Sequence, residues 1–482
     1  MTSTSAPPSS LSSQQQHLPA GLSFVPVPFV KAEQPHAYWT LGRIAQVLGT
    51  GPALPHQLAG ISTDTRSLRT GDCFVALVGD NFDGHSFLSA AKDRGAAAFV
   101  VSNPIAAAGL GIPTFVVDDT LIALGLLATA WRRAWGGPVI SVAGSNGKTS
   151  TKDMLRAALG STLTVHATAG NLNNLVGVPL TLLALPPHAE LAVIEIGTNT
   201  PGEVAKLRAI VEADMAVLTS IGEEHLEGLG DLAGVLREET DVFQDVPLAI
   251  IPTAHPDVEP IARSRSARVI RAGLETGDVV PSAWGLAPDG TGWLTVDDVT
   301  VTLALRGAHQ VANAALVVAA VKACGVPLER AAESLRTMPV PSMRGVWEEI
   351  GSAVLINDAY NANPASARAA LDLLGSVGEG RQRVAVLGSM RELGAQADVQ
   401  HDEVARAALA SKADVIAAVG DFAAAFDRVA PGNARVIFAA RFEDLWAQLE
   451  PRLKHDAVVL LKASRGARME RLVPFLTAWA NQ

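Results

Sequence analysis

The sequence predicts a three-domain α/β protein: a small N-terminal α/β domain, a central parallel-sheet domain built on a P-loop, and a C-terminal doubly wound, Rossmann-like domain. Three observations lead there. At 482 residues the chain is too long for one hydrophobic core, so two to four domains are expected. Short apolar runs alternate with helical stretches from residue 36 to the end, the pattern of buried parallel strands joined by helices. One run ends in a turn suited to phosphate: Val139-Ile140-Ser141-Val142-Ala143-Gly144-Ser145-Asn146-Gly147-Lys148-Thr149-Ser150-Thr151.

That stretch reads as strand, loop and helix. Gly144 and Gly147 let the backbone turn so that successive N–H groups point inward, Lys148 supplies a cation for the outer phosphates, and Thr149 offers an oxygen to magnesium. A helix from Lys148 to Leu159 would aim its positive end at the same anion. The usual loop has four residues between its glycines, whereas only Ser145 and Asn146 intervene here. A glycine turn with a chance Gly-Lys-Thr is the alternative. Taken as an exposed loop lysine with little packing, Lys148 is expected to be replaceable by Ala with loss of turnover but not of the fold.

Composition narrows the class. Hydrophobic residues make up 48% of the chain and charged residues 18%, which suits large buried sheets. The net charge of −10 argues against nucleic acid as the main partner. Two cysteines, Cys73 and Cys324, give no disulfide framework or zinc cluster. No apolar run spans a membrane without interruption, and the Ser-, Gln- and Pro-rich start lacks the basic residues of a signal peptide, so a cytoplasmic enzyme without membrane insertion is expected.

Residues 1–35 read as a disordered tail, although Phe24-Val25-Pro26-Val27-Pro28-Phe29 could dock somewhere. Residues 36–135 form the first domain, opening with a helical face at Leu41, Ile44, Ala45 and Leu48; its polar groups Asp64, Thr65, Arg66 and His85 read, unaided, as structural or solvated. Residues 136–340 form the central domain, with strands at Leu191–Ile196, Ala213–Leu218 and Leu248–Ile251. Ligands sit at the carboxyl ends of such strands, which brings Glu195, the Ser220–His225 loop and Asn171-Leu172-Asn173-Asn174 beside the phosphate loop. Glu195 interrupts an apolar run, a costly place for a carboxylate unless a cation neutralises it; magnesium would, and so would a buried Lys or Arg. Residues 341–482 follow a proline-bounded hinge, Met338–Gly345, and alternate again through Arg383–Leu387, Ala413–Val419, Val436–Ala439 and Ala457–Lys462. Asp358, just past a strand, could accept a ribose hydroxyl, and Tyr360 could lie near a base; an Asn-rich turn would look similar.

Six motifs in order carry a family resemblance over nearly the whole chain: Gly144–Thr149, Gly170–Asn174, Ala192–Glu195, His225-Leu226-Glu227-Gly228, His309 with Asn313, and Tyr360-Asn361-Ala362-Asn363-Pro364. Together they resemble the Mur ligases, and the last, with Ser389–Gly394, resembles the branch that adds D-alanyl-D-alanine. The resemblance implies an ATP- and Mg2+-dependent amide ligase of peptidoglycan precursor synthesis, joining UDP-N-acetylmuramoyl-tripeptide to D-alanyl-D-alanine through an acyl phosphate, with the C-terminal domain closing about the hinge. It implies a monomer with small-molecule substrates. It places the UDP-sugar near Ser62, Asp64, Thr65, Arg66, Asp83 and His85, with Asn171, Asn173, Asn174, Asn361 and Asn363 also on substrate. ATP falls to Gly144, Ser145, Asn146, Gly147, Lys148, Thr149 and Ser150, with Asn313 on adenine and Asp358 on ribose. Lys148, Glu195, His225 and Arg344 take catalytic roles, Thr149 and Glu195 hold one metal, and His225 a second. Where most relatives carry a lysine modified to a carbamate near that second metal, this chain has Glu239, whose reach is shorter by about 4 Å; a glutamate supplies the same charge, or is merely a solvated acid. Other departures are Met343, Ser389 and Ala463 where Gly, Asp and Gly are common. A folylpolyglutamate synthase-like ligase, disfavoured by the folded segment 36–135, and a nucleotide-binding regulator without catalysis are the alternatives.

Overall fold

The computed structural model describes residues 38–481; the expected tail and its aromatic patch lie outside them. Three parallel sheets follow one another along the chain. The first has four strands in the order Ile61–Ser62, Cys73–Val75, Ala98–Val101, Thr114–Val116. The second has six, in the order Arg268–Ala272, Leu248–Pro252, Met215–Leu218, Val139–Ala143, Leu191–Glu195, Val165–Ala167, every pair parallel. The third also has six: Val346–Ile350 lies antiparallel at one edge, followed by Ala353–Asp358, Val458–Lys462, Arg383–Leu387, Val415–Val419 and Val436–Ala439 in parallel.

The inner strands of the two large sheets are mostly apolar because helices cover both faces. Leu191–Glu195, Leu248–Pro252 and Val458–Lys462 are buried at every position. The polar residues closing two of them, Glu195 and Lys462, therefore stand at carboxyl ends under cover, where a site forms in open sheets of this type.

The helix Thr120–Trp135 belongs to two domains at once. Its Leu124, Leu127, Trp131 and Trp135 join one apolar core with Val75 and Val100 of the first sheet and Val139, Ala192 and Leu207 of the central region. Arg132 fixes the join by donating to the Val211 carbonyl (3.0 Å) and the Asp214 carboxylate (3.1 Å).

A feature absent from the alternation is a three-stranded antiparallel sheet, Ala283–Leu286, Thr291–Val296 and Val299–Arg306. Asp297 and Asp298, at φ 47° and 63°, make its two-residue turn with both central residues left-handed, the twist that matches flanking strands. The helix Ala308–Ala323 returns from it to cover the central sheet, with Val311, Leu316 and Val318 in the core. No helix among the described residues is long and apolar enough to cross a membrane.

Candidate functional site

The strand Val139–Ala143 and the helix Lys148–Leu159 bracket the loop at the expected residues. Both glycines are required. Gly144 is at φ 116°, and a Cβ there would come within 2.4 Å of Thr219 Oγ1; Gly147 is at φ 83°, and a Cβ there would meet the Asn313 amide at 2.6 Å. The cradle differs from the inward-facing turn expected of it. Gly144 N–H donates to Glu239 Oε2 (2.7 Å), Ser145 N–H to the Ser220 carbonyl (2.9 Å), and Asn146 N–H to Ser220 Oγ (2.9 Å). With two residues between its glycines the loop is held from behind. The donors left for an anion are the first-turn amides of the following helix, which have no intrahelical acceptor, and the Lys148 ammonium.

Lys148 is not exposed. Its side chain keeps 13% of its surface and lies 3.3 Å from Glu224 Oε1 and 4.0 Å from Glu239 Oε1. Burial works against its charge, but Glu224, then Glu239 and Glu195, outweigh it and hold the ammonium above its ordinary pKa. Its removal would leave facing carboxylates under cover, so the expected indifference of the fold to Lys148→Ala is corrected. Glu224 was missed in the sequence, where only the pair Glu223-Glu224 ahead of His225 hinted at it.

Glu195 Oε1 accepts from Thr149 Oγ1 (3.1 Å) and Asn173 Nδ2 (2.8 Å), while buried Oε2 has no partner among the described residues. No three His, Cys, Asp or Glu among those residues are grouped closely enough to hold a metal ion by themselves. One orphaned carboxylate oxygen beside a threonine hydroxyl and a phosphate loop fits magnesium, which takes one or two carboxylates and completes its shell with phosphate oxygens and water.

Glu239 does not reach that position. It is fully buried behind the loop, with Oε2 accepting from Gly144 N–H and Oε1 aimed at Lys148 without a hydrogen bond. Burial is the main cause that pushes its carboxyl up to about 8, against the pull of Lys148. Glu239 does not line the cavity in front of the loop. The side chain is shorter than the modified lysine it replaces and stops at the loop backbone.

A cavity of about 940 Å³ opens in front of the loop and is lined from both large domains. The central domain contributes Ser145–Ser150, Asn171, Asn173, Asn174, Glu195, Glu224 and His225; the C-terminal domain contributes Arg344, Asp358, Tyr360, Asn361, Arg391 and Arg465. Tyr360 lies between two guanidinium groups, Arg344 at 4.2 Å and Arg465 at 5.6 Å from its ring centre. Asp358 is bound to buried Lys462 (2.7 Å), which also donates to the Asn361 carbonyl (2.8 Å). Lys462 was not foreseen; its charge at the end of an apolar strand was the available signal.

Other expected residues have different surroundings. Asn363 is buried, caps the helix Pro364–Ser376 through Ser366 N–H, and donates across the domains to Asn146 Oδ1 (2.9 Å). Asn174 Oδ1 accepts from Val176 and Gly177 N–H at the start of the helix Gly177–Leu183 (3.2 and 2.9 Å). Asn313 stands against Gly147 and donates to Gln310 Oε1 (3.2 Å); it does not line the cavity, whereas His309 and Gln310 do. Ser62, Asp64, Thr65, Arg66, Asp83 and His85 lie outside this cavity, on the N-terminal sheet and its loops. The His85 ring is buried and fully engaged, with Nδ1 against Asp83 Oδ1 (2.7 Å) and Nε2 accepting from Ser102 and Asn103 N–H (3.0 and 3.1 Å). It holds the loop rather than a ligand. Arg66 closes on Asp64 at 2.6 Å at the surface.

A phosphate loop with an orphaned carboxylate, facing the arginines of a second doubly wound domain, defines a nucleotide-dependent ligase. The chain belongs to the Mur ligase family. Residues 57–132 match the "Mur ligase family, catalytic domain", 142–321 the "Mur ligase middle domain", and 345–465 the "Mur ligase, glutamate ligase domain". A Bacillus subtilis protein named UDP-N-acetylmuramoyl-tripeptide–D-alanyl-D-alanine ligase is 34% identical over 421 residues, 86% of this chain and 92% of its own. MurF from Acinetobacter baumannii superposes with a TM-score of 0.85 at 30% identity, covering 93% of this chain and all of that one. MurF from Thermotoga maritima in complex with ADP gives 0.78 at 26% identity, covering 88% and 98%.

Proposed function

We infer that this chain joins D-alanyl-D-alanine to the carboxyl end of UDP-N-acetylmuramoyl-tripeptide at the expense of ATP, forming ADP and phosphate in peptidoglycan precursor synthesis. The observation that carries it is the shared cavity: the loop that holds a triphosphate and the arginines that can hold a carboxylated dipeptide face each other within it. The family match over residues 57–132, on a folded four-stranded sheet, favours this reading over a folylpolyglutamate synthase-like one.

Lys148 and the helix amides from Lys148 to Ser150 take the outer phosphates; Ser145, Asn146 and the two glycines shape the loop around them. Thr149 and Glu195 would hold one magnesium, and His225, beside Glu224, would hold a second. Magnesium supplies the charge neutralisation that lets a peptide carboxylate approach a triphosphate. The carboxylate oxygen attacks the γ-phosphorus and ADP leaves, giving an acyl phosphate. The dipeptide amine then adds to the acyl carbon, loses its proton, and the tetrahedral species collapses to amide and phosphate. Arg344, stacked on Tyr360, and Arg391 and Arg465 line the side from which the dipeptide comes, and Asp358, tied to Lys462, is placed for a ribose hydroxyl. The N-terminal residues Ser62, Asp64, Thr65, Arg66 and Asp83 form the surface for the UDP-sugar, with His85 shaping it. Asn171, Asn173 and Asn361 line the tripeptide path, and Asn313 backs Gly147.

We divide the chain at residues 36–135, 136–340 and 341–482, with the helix Thr120–Trp135 shared across the first boundary. One chain supplies the whole cavity, which fits a monomer, and dependence on ATP fits the cytoplasm. Phosphate release with ATP, Mg2+, UDP-N-acetylmuramoyl-tripeptide and D-alanyl-D-alanine tests the reading. Release is expected only when both acceptor and dipeptide are present; release indifferent to the dipeptide would contradict it, and none at all would favour a regulator.

A further inference from the structure

His225 and Glu392 meet across the two large domains as an ion pair, with the imidazole Nδ1 against the carboxylate Oε2 but without hydrogen-bond geometry. Both residues adopt the left-handed backbone region, at φ 50° and 64°, which is unfavourable for a non-glycine residue and persists only where surroundings impose it. The surroundings do so. Glu227 N–H donates to the Glu392 carbonyl (3.1 Å), and Leu229 N–H to that of His225 (2.8 Å). Leu226 and Leu229 of the central domain share one buried core with Met390 and Leu393 of the C-terminal domain. The segment carrying Glu392 is fixed to its own domain, because Met390 N–H donates to His401 Nε2 (3.0 Å) and Arg391 N–H to Ser464 Oγ (3.0 Å). The other imidazole nitrogen, Nε2, lies 3.8 Å from Glu224 Oε2, among the residues that line the cavity with Lys148 and Glu195.

We propose that Glu392 is a positioning residue for His225: it keeps the proton on Nδ1 and turns the Nε2 lone pair toward the phosphate end of the cavity, so that the C-terminal domain completes a cation position in the central one. A carboxylate behind a ligating imidazole fixes its orientation and raises its basicity, and loss of such a partner typically weakens metal binding 10- to 100-fold. The inference rests on the reading of His225 as a cation ligand.

A double-mutant cycle with Mn2+ as the probe tests it, using the full chain, a non-hydrolysable ATP analogue and paramagnetic resonance titration. Wild type is expected to bind two Mn2+ ions per chain. His225→Ala and Glu392→Ala are each expected to weaken the second ion at least about tenfold, and the double variant no further than His225→Ala alone. Glu392→Gln, which keeps an oxygen for Nδ1–H, is expected to restore binding to within about threefold, and the loss in Glu392→Ala to fall on kcat rather than on KM for the dipeptide. Thermal midpoints of all variants report on folding independently. If His225→Ala weakens the second ion and Glu392→Ala does not, the positioning role is overturned and the ligand reading survives. Losses that add in the double variant would make Glu392 a domain latch and overturn the proposal. If His225→Ala leaves both ions unaffected, the ligand reading fails and the proposal with it.

Discussion

Lys148 lies among Glu224, Glu239 and Glu195, so it serves the folded protein as well as the nucleotide. Lys148→Ala is expected to lower kcat/KM by at least about a hundredfold, the scale of one lost transition-state charge contact. It should also lower the thermal midpoint in magnesium-free buffer, because one partner of a buried ion pair is harder to lose than both; Glu224→Gln in the same chain should recover part of that loss. Calorimetry on the two variants checks this, and an unchanged midpoint in Lys148→Ala would show that the charges do not balance each other. Glu239→Gln retains an oxygen for Gly144 N–H. Its Mg2+ requirement should stay within about threefold of wild type and activity should be independent of bicarbonate; a sharply raised requirement in a magnesium titration would return Glu239 to the metal. His401 gives a pH signature. Burial lowers its pKa, and the neutral ring accepts from Met390 N–H while its Nδ1 contacts the Ala397 carbonyl at 2.6 Å. Stability from a group with a depressed folded pKa is complete above its unfolded value, about 6.5, and is lost as pH falls from there through the folded value. Melting curves between pH 7.5 and 5 should therefore fall more steeply for wild type than for His401→Asn, and parallel curves would remove His401 from the account.

Among the elements, the hinge carries the clearest strain. Met343 has φ 56°, and its carbonyl accepts from Tyr360 N–H at 3.2 Å, setting the tyrosine between its two arginines. A glycine there is free of the Cβ penalty, so Met343→Gly should stabilise the C-terminal domain by about 1 kcal/mol, or roughly 2–4 °C in midpoint. An unchanged or lower midpoint would mean that the methionine side chain contributes packing of comparable size. The elements legible in the sequence were those with a continuous apolar run or a helical apolar face: the strand Val139–Ala143, the helix Lys148–Leu159 and the strand Arg383–Leu387 fall at their expected residues. The antiparallel strands 283–306 were not, although Thr291–Val296 alternates half-buried and buried residues, the period-two signal of a strand with one covered face. In the site, Glu195 and Thr149 could be placed because each stands at or just past the carboxyl end of a parallel strand, where ligands sit in such sheets. Glu224, Lys462 and the His225–Glu392 contact could not, because their partners come from other elements. The engagement of the His85 ring was hidden for a related reason: the amides that saturate it, at Ser102 and Asn103, follow a different strand.

For the whole molecule, function requires that the two large domains stand together. The apolar contact of Leu226 and Leu229 with Leu393, the Asn146–Asn363 amide pair and the His225–Glu392 contact hold the two domains together around the cavity. Such closure protects an acyl phosphate from water. Solution scattering with an ATP analogue and UDP-N-acetylmuramoyl-tripeptide should match this arrangement, with a more extended profile before ligand addition; identical profiles would exclude closure as a catalytic step. The central claim is that the tripeptide carboxylate itself attacks ATP, and transfer of oxygen tests it most directly. With the terminal carboxylate of the tripeptide labelled with 18O, mass spectrometry of the phosphate released during ligation to D-alanyl-D-alanine should find one labelled oxygen per phosphate. Phosphate free of label would contradict the account, because an amide formed without an acyl phosphate leaves no path for that oxygen.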